Sequence, residues 1–151
     1  METKMLDAII ESVAEAKHFA GAVDEKELAQ AEERLGLRFP TEYRAFLSSR
    51  GCGSIGSLEI LGLGIPESGV PNLMFVVQGL ESAGFQVRPR ILPVSAIGDG
   101  SYFAVVVEAL GELTPGQMVI WNPSRSSVLD GVENESWPSF YNWLNEQSSN
   151  L

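Results

Sequence analysis

The sequence predicts an α+β fold: an antiparallel-rich sheet with N-terminal helices and a C-terminal helix packed on it. Three observations predict it. Apolar residues recur at helical spacing through the first fifty positions and again after Ser136. From Ile91 the period changes to extended, and short breaks containing Gly, Asn or Pro join successive apolar runs, which requires antiparallel pairing. No linker-like stretch divides the 151 residues, so residues 1–151 read as one domain, able to bury roughly 70% of the surface its unfolded chain exposes.

Lys4 to about His18 reads as an amphipathic helix with Leu6, Ile9, Ile10 and Val13 as its buried stripe. Asp7, Glu11 and Glu15 lie four apart on its other side, where like charges repel by roughly 0.2–0.5 kcal/mol a pair. They form either a docking ridge or a solvated face. Val23 to Leu35 is a second helix. Asp24 and Glu27 stand as a capping box, and Leu28, Ala31 and Leu35 face inward. Gly36 supplies a left-handed stop. After Pro40, Thr41 fits as the cap of a third helix to Arg50, with Tyr43, Phe46 and Leu47 on one face.

Ser57 to Leu61 reads as a strand, and Gly62 to Asn72 as a loop. Asn72 fits as the cap of a helix bearing Leu73, Val76, Val77 and Leu80, but Leu73 to Val77 equally fits a strand. Arg88 and Arg90 flank Pro89 and are the last basic residues before Arg125. Ile91 to Ile97 is a strand, and Gly98-Asp99-Gly100 is its hairpin turn. Tyr102 to Glu108 returns apolar on both faces, as a mid-sheet strand does. Gln117 to Trp121 follows, with Ser127 to Leu129 pairing back. Ser136 is placed to cap a last helix whose Phe140, Trp143 and Leu144 point inward, and the chain frays from Gln147.

Charge narrows the function. Twenty acidic and ten basic residues give a net charge of −10. Nucleic acid and anionic membrane are excluded as partners by sign. A basic protein is the electrostatically natural partner, and simple solubility is the alternative reading of the same charge. The single cysteine, Cys52, suits a reducing compartment. The acidic start METKMLDAIIE is unlike a secretory leader, and no apolar run nears the ~18 residues of a spanning helix. The chain reads as cytoplasmic.

Catalytic chemistry finds little footing. Gly51 to Gly56 matches G-x-G-x-x-G, but a helix precedes it and a strand follows, the reverse of a dinucleotide site. Cys52 sits at a helix exit, where the dipole disfavours a thiolate. His18 has no second His or Cys beside it, and no metal-ligand spacing occurs. No catalytic residue, cofactor or metal is expected. Binding leaves a different trace. From Ile91 onward seven acids face one base, Arg125. Asp130, Glu133 and Glu135 surround the approach to the last helix beside Trp137, and Asp99 marks the hairpin. Together these five are the candidate partner-binding residues, acids for steering and Trp137 for an anchor. Trp137 as a core residue is the other reading.

Glu33, Leu35, Gly36, Phe39, Pro40, Tyr43, Phe46, Leu47, Gly51 and Gly53 resemble the entry signature of the SUKH superfamily. Ile91-Leu92-Pro93-Val94, Gly98-Asp99-Gly100, Val119-Ile120-Trp121, Phe140 and Trp143-Leu144 are similar to its later positions, while Gly62 to Arg90 fits loosely. The resemblance implies an α+β binding domain of the kind found in bacterial toxin-immunity proteins and fungal regulators of cell-wall synthesis. The expectation is a non-enzymatic immunity protein that binds a basic toxin domain, such as a nuclease. The alternative is a regulatory protein-interaction module in cell-wall synthesis or signalling.

Overall fold

The computed structural model of the protein describes residues 3–125 and 127–151. Among the described residues, six helices and seven strands make an α+β arrangement. Helix α1 (Thr3–Glu11) buries Leu6, Ile9 and Ile10. It stops at Glu11, seven residues short of the expected end. Ala16 accepts a hydrogen bond from the Gly56 amide, and Lys17–Phe19 then forms strand β1. His18 is therefore an exposed strand residue opposite Ser54, and Glu15 lies outside the helix. Asp7 is no free ridge either: it pairs with Arg50 at 2.7 Å, and the Arg50 guanidinium lies 5.8 Å from the Phe19 ring centroid.

Helix α2 (Glu25–Leu35) starts where the caps put it. The Asp24 carboxylate accepts from the Glu27 amide at 2.8 Å, and Gly36 takes φ 71°. Helix α3 (Thr41–Arg50) differs at its start: Pro40 is the N-cap, no side chain caps it, and Thr41 is already helical. Glu32 fixes the approach to it instead, accepting from the Phe39 amide at 2.8 Å across the corner.

The glycine run builds a hairpin, β2 (Gly53–Ile55) and β3 (Leu58–Ile60), with β1 on the far side of β2. Gly53 lets β1 approach, since a Cβ there would stand 2.0 Å from the His18 carbonyl oxygen. Only β3 was visible as a strand in the sequence. Asn72 caps α4 (Leu73–Ser82), its Oδ1 accepting from the Phe75 amide at 2.9 Å, so the helical alternative holds. Asn72 Nδ2 also donates to the Ile65 carbonyl, tying down the preceding loop.

The second sheet is β4 (Ile91–Ala96), β5 (Tyr102–Val106), β6 (Met118–Trp121) and β7 (Val132–Trp137), antiparallel in that order. The Leu61 amide donates to the Val94 carbonyl at 2.7 Å, so β3 runs beside β4 and the two sheets adjoin. Ala104, Val105 and Val106 are fully buried, as the two-sided apolar pattern of that strand requires.

Two boundaries differ near the end. Residues 128–131 form a short helix, α5 (Val128–Gly131), capped by Ser127, and the pairing strand lies after it. Helix α6 (Phe140–Ser149) is capped by Ser139, because Ser136 is paired with Val119 in the ladder. Ser148 is buried and donates to the Leu144 carbonyl at 2.7 Å, so the turn expected to fray is packed helix. Phe140 joins the chain's two ends, with ring centroids 5.5 Å from Tyr43, 5.6 Å from Phe46 and 5.6 Å from Trp143.

Candidate functional site

The strongest candidate surface is the outer edge of β7. Its geometry begins at Gly131, where a Cβ would stand 2.3 Å from the Asn122 carbonyl oxygen and 3.0 Å from the Trp121 ring. Only glycine lets α5 sit against the end of β6 and aim the chain back along it. The ladder then slips. Val132 pairs with Trp121 and Ser136 with Val119, so the three residues 133–135 of β7 stand opposite Ile120 alone. Such a bulge bends the strand and lifts the extra residues from the ladder. Glu133, Asn134 and Glu135 are all exposed. A charged, bulged edge also keeps other chains from adding to the sheet.

Trp137 ends the strand on the inside. It is 6% exposed, its ring meets Phe103 edge-on at 5.7 Å, and its Nε1 donates to Glu146 Oε2 at 3.1 Å. The core reading of Trp137 is the one its geometry fits, and Glu146, which sequence reasoning overlooked, is its polar partner. Exposed Asp130 stands on α5 beside the start of β7, not in a turn before the last helix. Asp99 caps the β4–β5 turn: its Oδ1 accepts from the Ser101 amide at 3.0 Å and from the Ser101 hydroxyl. The hydroxyl and then the amide hold its carboxyl below the usual range.

Registers Ala96–Tyr102, Tyr102–Trp121 and Trp121–Val132 put the Asp99 turn at the same end of the sheet as Val132. The turn lies about 10 Å across two strand spacings from β7. The structure thus brings Asp99, Asp130 and Glu133 to one end and leaves Trp137 at the other.

The two groups that could support catalysis lie near each other without pairing: His18 sits opposite Ser54, and Cys52 is two residues before Ser54, its carbonyl accepting from the Ala20 amide at 2.9 Å. Cys52 is 1% exposed, and burial followed by the Glu59 charge pushes its thiol up, away from thiolate. Exposed His18 shares no hydrogen bond with it or with a carboxylate among the described residues. Among those residues, no group of three or more His, Cys, Asp or Glu is arranged to hold a metal ion. No described helix is long and apolar enough to cross a membrane.

The α2–α3 corner, with Tyr43, Phe46 and Leu47 fully buried and the Tyr43 hydroxyl donating to the Leu61 carbonyl at 2.7 Å, is the feature that carries the family pattern. A family described as SUKH_5, SMI1-KNR4 cell-wall, matches residues 3–148. The chain belongs to the SMI1-KNR4 (SUKH) family. Its structure is similar to the crystal structure of a protein from Pseudomonas syringae pv. tomato, with a TM-score of 0.66 and 25% identity over 91% of this chain and 93% of that one. No curated protein matches.

Proposed function

We propose that this SUKH chain is a non-enzymatic protein-binding module of the cytoplasm, an immunity protein that binds and neutralises a basic toxin domain on its acidic β7 edge. One observation carries the reading. The bulged stretch of the edge strand, Glu133 to Glu135, carries two exposed carboxylates and no basic residue. Asp130 and Asp99 extend the negative field along that end of the sheet. Such a field steers a cationic partner and can raise association to about 10⁸–10⁹ per molar per second at low salt.

The test is stopped-flow association with the toxin domain encoded beside this chain. The expected rate falls steeply as salt rises, and Glu133→Lys with Glu135→Lys slows it further without unfolding the protein. A rate indifferent to salt and to both substitutions removes β7 as the docking face. Failure of the expressed chain to protect cells from any such domain removes the immunity reading. The family's cell-wall description supports a second reading, a regulatory interaction module in wall synthesis or signalling. Recovery of a wall-synthesis protein, rather than a toxin, on the immobilised chain decides for it.

A further inference from the structure

Two exposed arginines interrupt the acidic surface on one side. Among the described residues Arg34, Arg44, Arg50 and Arg88 each pair with a carboxylate. Arg90 and Arg125, both exposed, do not, as is also true of Lys4, Lys26 and Arg38, but these two arginines are brought to one place. They line two adjoining hollows that share Phe85, Gln86 and Val128 as a common wall, Arg90 in one and Arg125 in the other.

The wall is built, not incidental. Helix α4 ends at Ser82, Gly84 beyond it takes φ 95°, and the Phe85 amide donates back to the Leu80 carbonyl at 3.1 Å, which fixes the half-buried Phe85 just past the helix. Arg88 is held off by Glu81 at 2.9 Å and by the Arg34 carbonyl at 2.7 Å. The Arg90 carbonyl accepts from the Val107 amide at 2.8 Å, which anchors that backbone to the end of β5.

We infer that this double hollow seats a carboxylate-bearing segment of the protein partner, its acid held between Arg90 and Arg125 and an apolar side chain laid on Phe85. The inference rests on the reading that the chain binds a protein. Guanidinium groups match carboxylates in forked geometry. A nucleic acid fits poorly, since its charges repeat every ~1.7 Å and would run onto the neighbouring acids Glu81 and Asp130. A short acidic segment meets only the two cations. Opposite signs on neighbouring surfaces, acids on β7 and bases here, would also fix the partner's orientation, because a reversed approach sets like charges together.

The experiment uses the full chain with ¹⁵N-labelled arginine and follows side-chain Nε–H resonances. The probe is the blocked pentapeptide Gly-Asp-Phe-Glu-Gly, compared with its amide counterpart Gly-Asn-Phe-Gln-Gly, with pyrophosphate and with a short deoxythymidine oligomer. The acidic peptide is expected to shift Arg90 and Arg125 and leave the ion-paired Arg34 and Arg44 in place, while the amide peptide shifts neither. Arg90→Gln with Arg125→Gln weakens the peptide about tenfold. The thermal midpoint stays put, since neither side chain has a carboxylate partner to lose. An equal response to the amide peptide, no shift at millimolar peptide, or tighter binding of pyrophosphate or the oligomer overturns the inference. These results are read without any toxin, so they stand apart from the fate of the β7 proposal.

Discussion

The chain up to Arg90 and the chain from Ile91 use charge in opposite ways. The first has 9 basic and 13 acidic residues, net −4, and the second 1 and 7, net −6. Every ion pair among the described residues lies in the first region: Arg34–Glu67, Arg44–Glu25, Arg44–Glu32, Arg50–Asp7 and Arg88–Glu81. There charge clamps helices and loops to one another. In the second region aromatic packing and strand ladders hold the structure, and Glu133 and Glu135 point to solvent. A surface is available for a partner where the fold does not need its charges.

The comparison breaks most easily at the contact that spans both regions. Phe140→Ala removes the ring lying among Tyr43, Phe46 and Trp143 and should cost about 3–5 kcal/mol in urea unfolding. A loss under 1 kcal/mol would mean the two regions are held together elsewhere. Gly53→Ala comes next: a Cβ 2.0 Å from the His18 carbonyl must push β1 off β2, at a cost of about 2 kcal/mol or more.

Arg44→Gln tests the clamps. It leaves the half-buried Glu32 without its partner and should cost about 1 kcal/mol. It also reshapes the acid limb. Glu25 is held below the usual glutamate range by its hydrogen bond to Arg44, as Glu67 is by Arg34. A carboxyl depressed in the fold stabilises fully above its unfolded pKa, about 4, and that contribution disappears as pH falls through the folded value. Thermal unfolding between about pH 5 and 2 should therefore fall less steeply in Arg44→Gln than in the parent. The smallest effect belongs to the β7 edge, where Glu133→Gln with Glu135→Gln should change stability by no more than about 0.5 kcal/mol. A large loss there would make these acids part of the scaffold.

What the sequence reveals depends on how locally each feature is specified. Helix α2 is legible because Asp24, Glu27 and Gly36 are local signals that no tertiary contact overrides. Tyr43, Phe46 and Leu47 are legible because spacing alone puts them on one face. Strands β1 and β2 are not: Lys17–Phe19 and Gly53–Ile55 are three residues each, too short for alternation, and they exist through each other. Strand β7 is hidden by its polar sequence, VENESW, which reads as a loop until β6 supplies its ladder. Ser136 and Ser139 offer the same capping chemistry three residues apart, and the pairing of Ser136 with Val119 leaves Ser139 to cap.

The acids of the candidate site were legible as a cluster in sequence, but that Asp99 joins Asp130 and Glu133 at one end of the sheet while Trp137 falls at the other is a matter of register. The nearness of Arg90 and Arg125 was hidden further, because the wall their hollows share exists only in the fold. The loop separation between Gly84 and Val128 gives no hint that they wall the same hollow.

Glu42 Oε1, on α3, accepts from the Tyr141 amide at 2.8 Å and so satisfies the start of a helix 99 residues later. With Phe140 beside it, this bond makes the first helices wait for the last one. During synthesis Tyr43 and Phe46 have only their early neighbours Phe19 and Phe39 to pack on, and the Phe140 side of both rings stays uncovered until α6 has emerged. Closure of this cluster thereby follows the emergence of α6, and the interval before it is when the nascent chain is most open to chaperones and proteases.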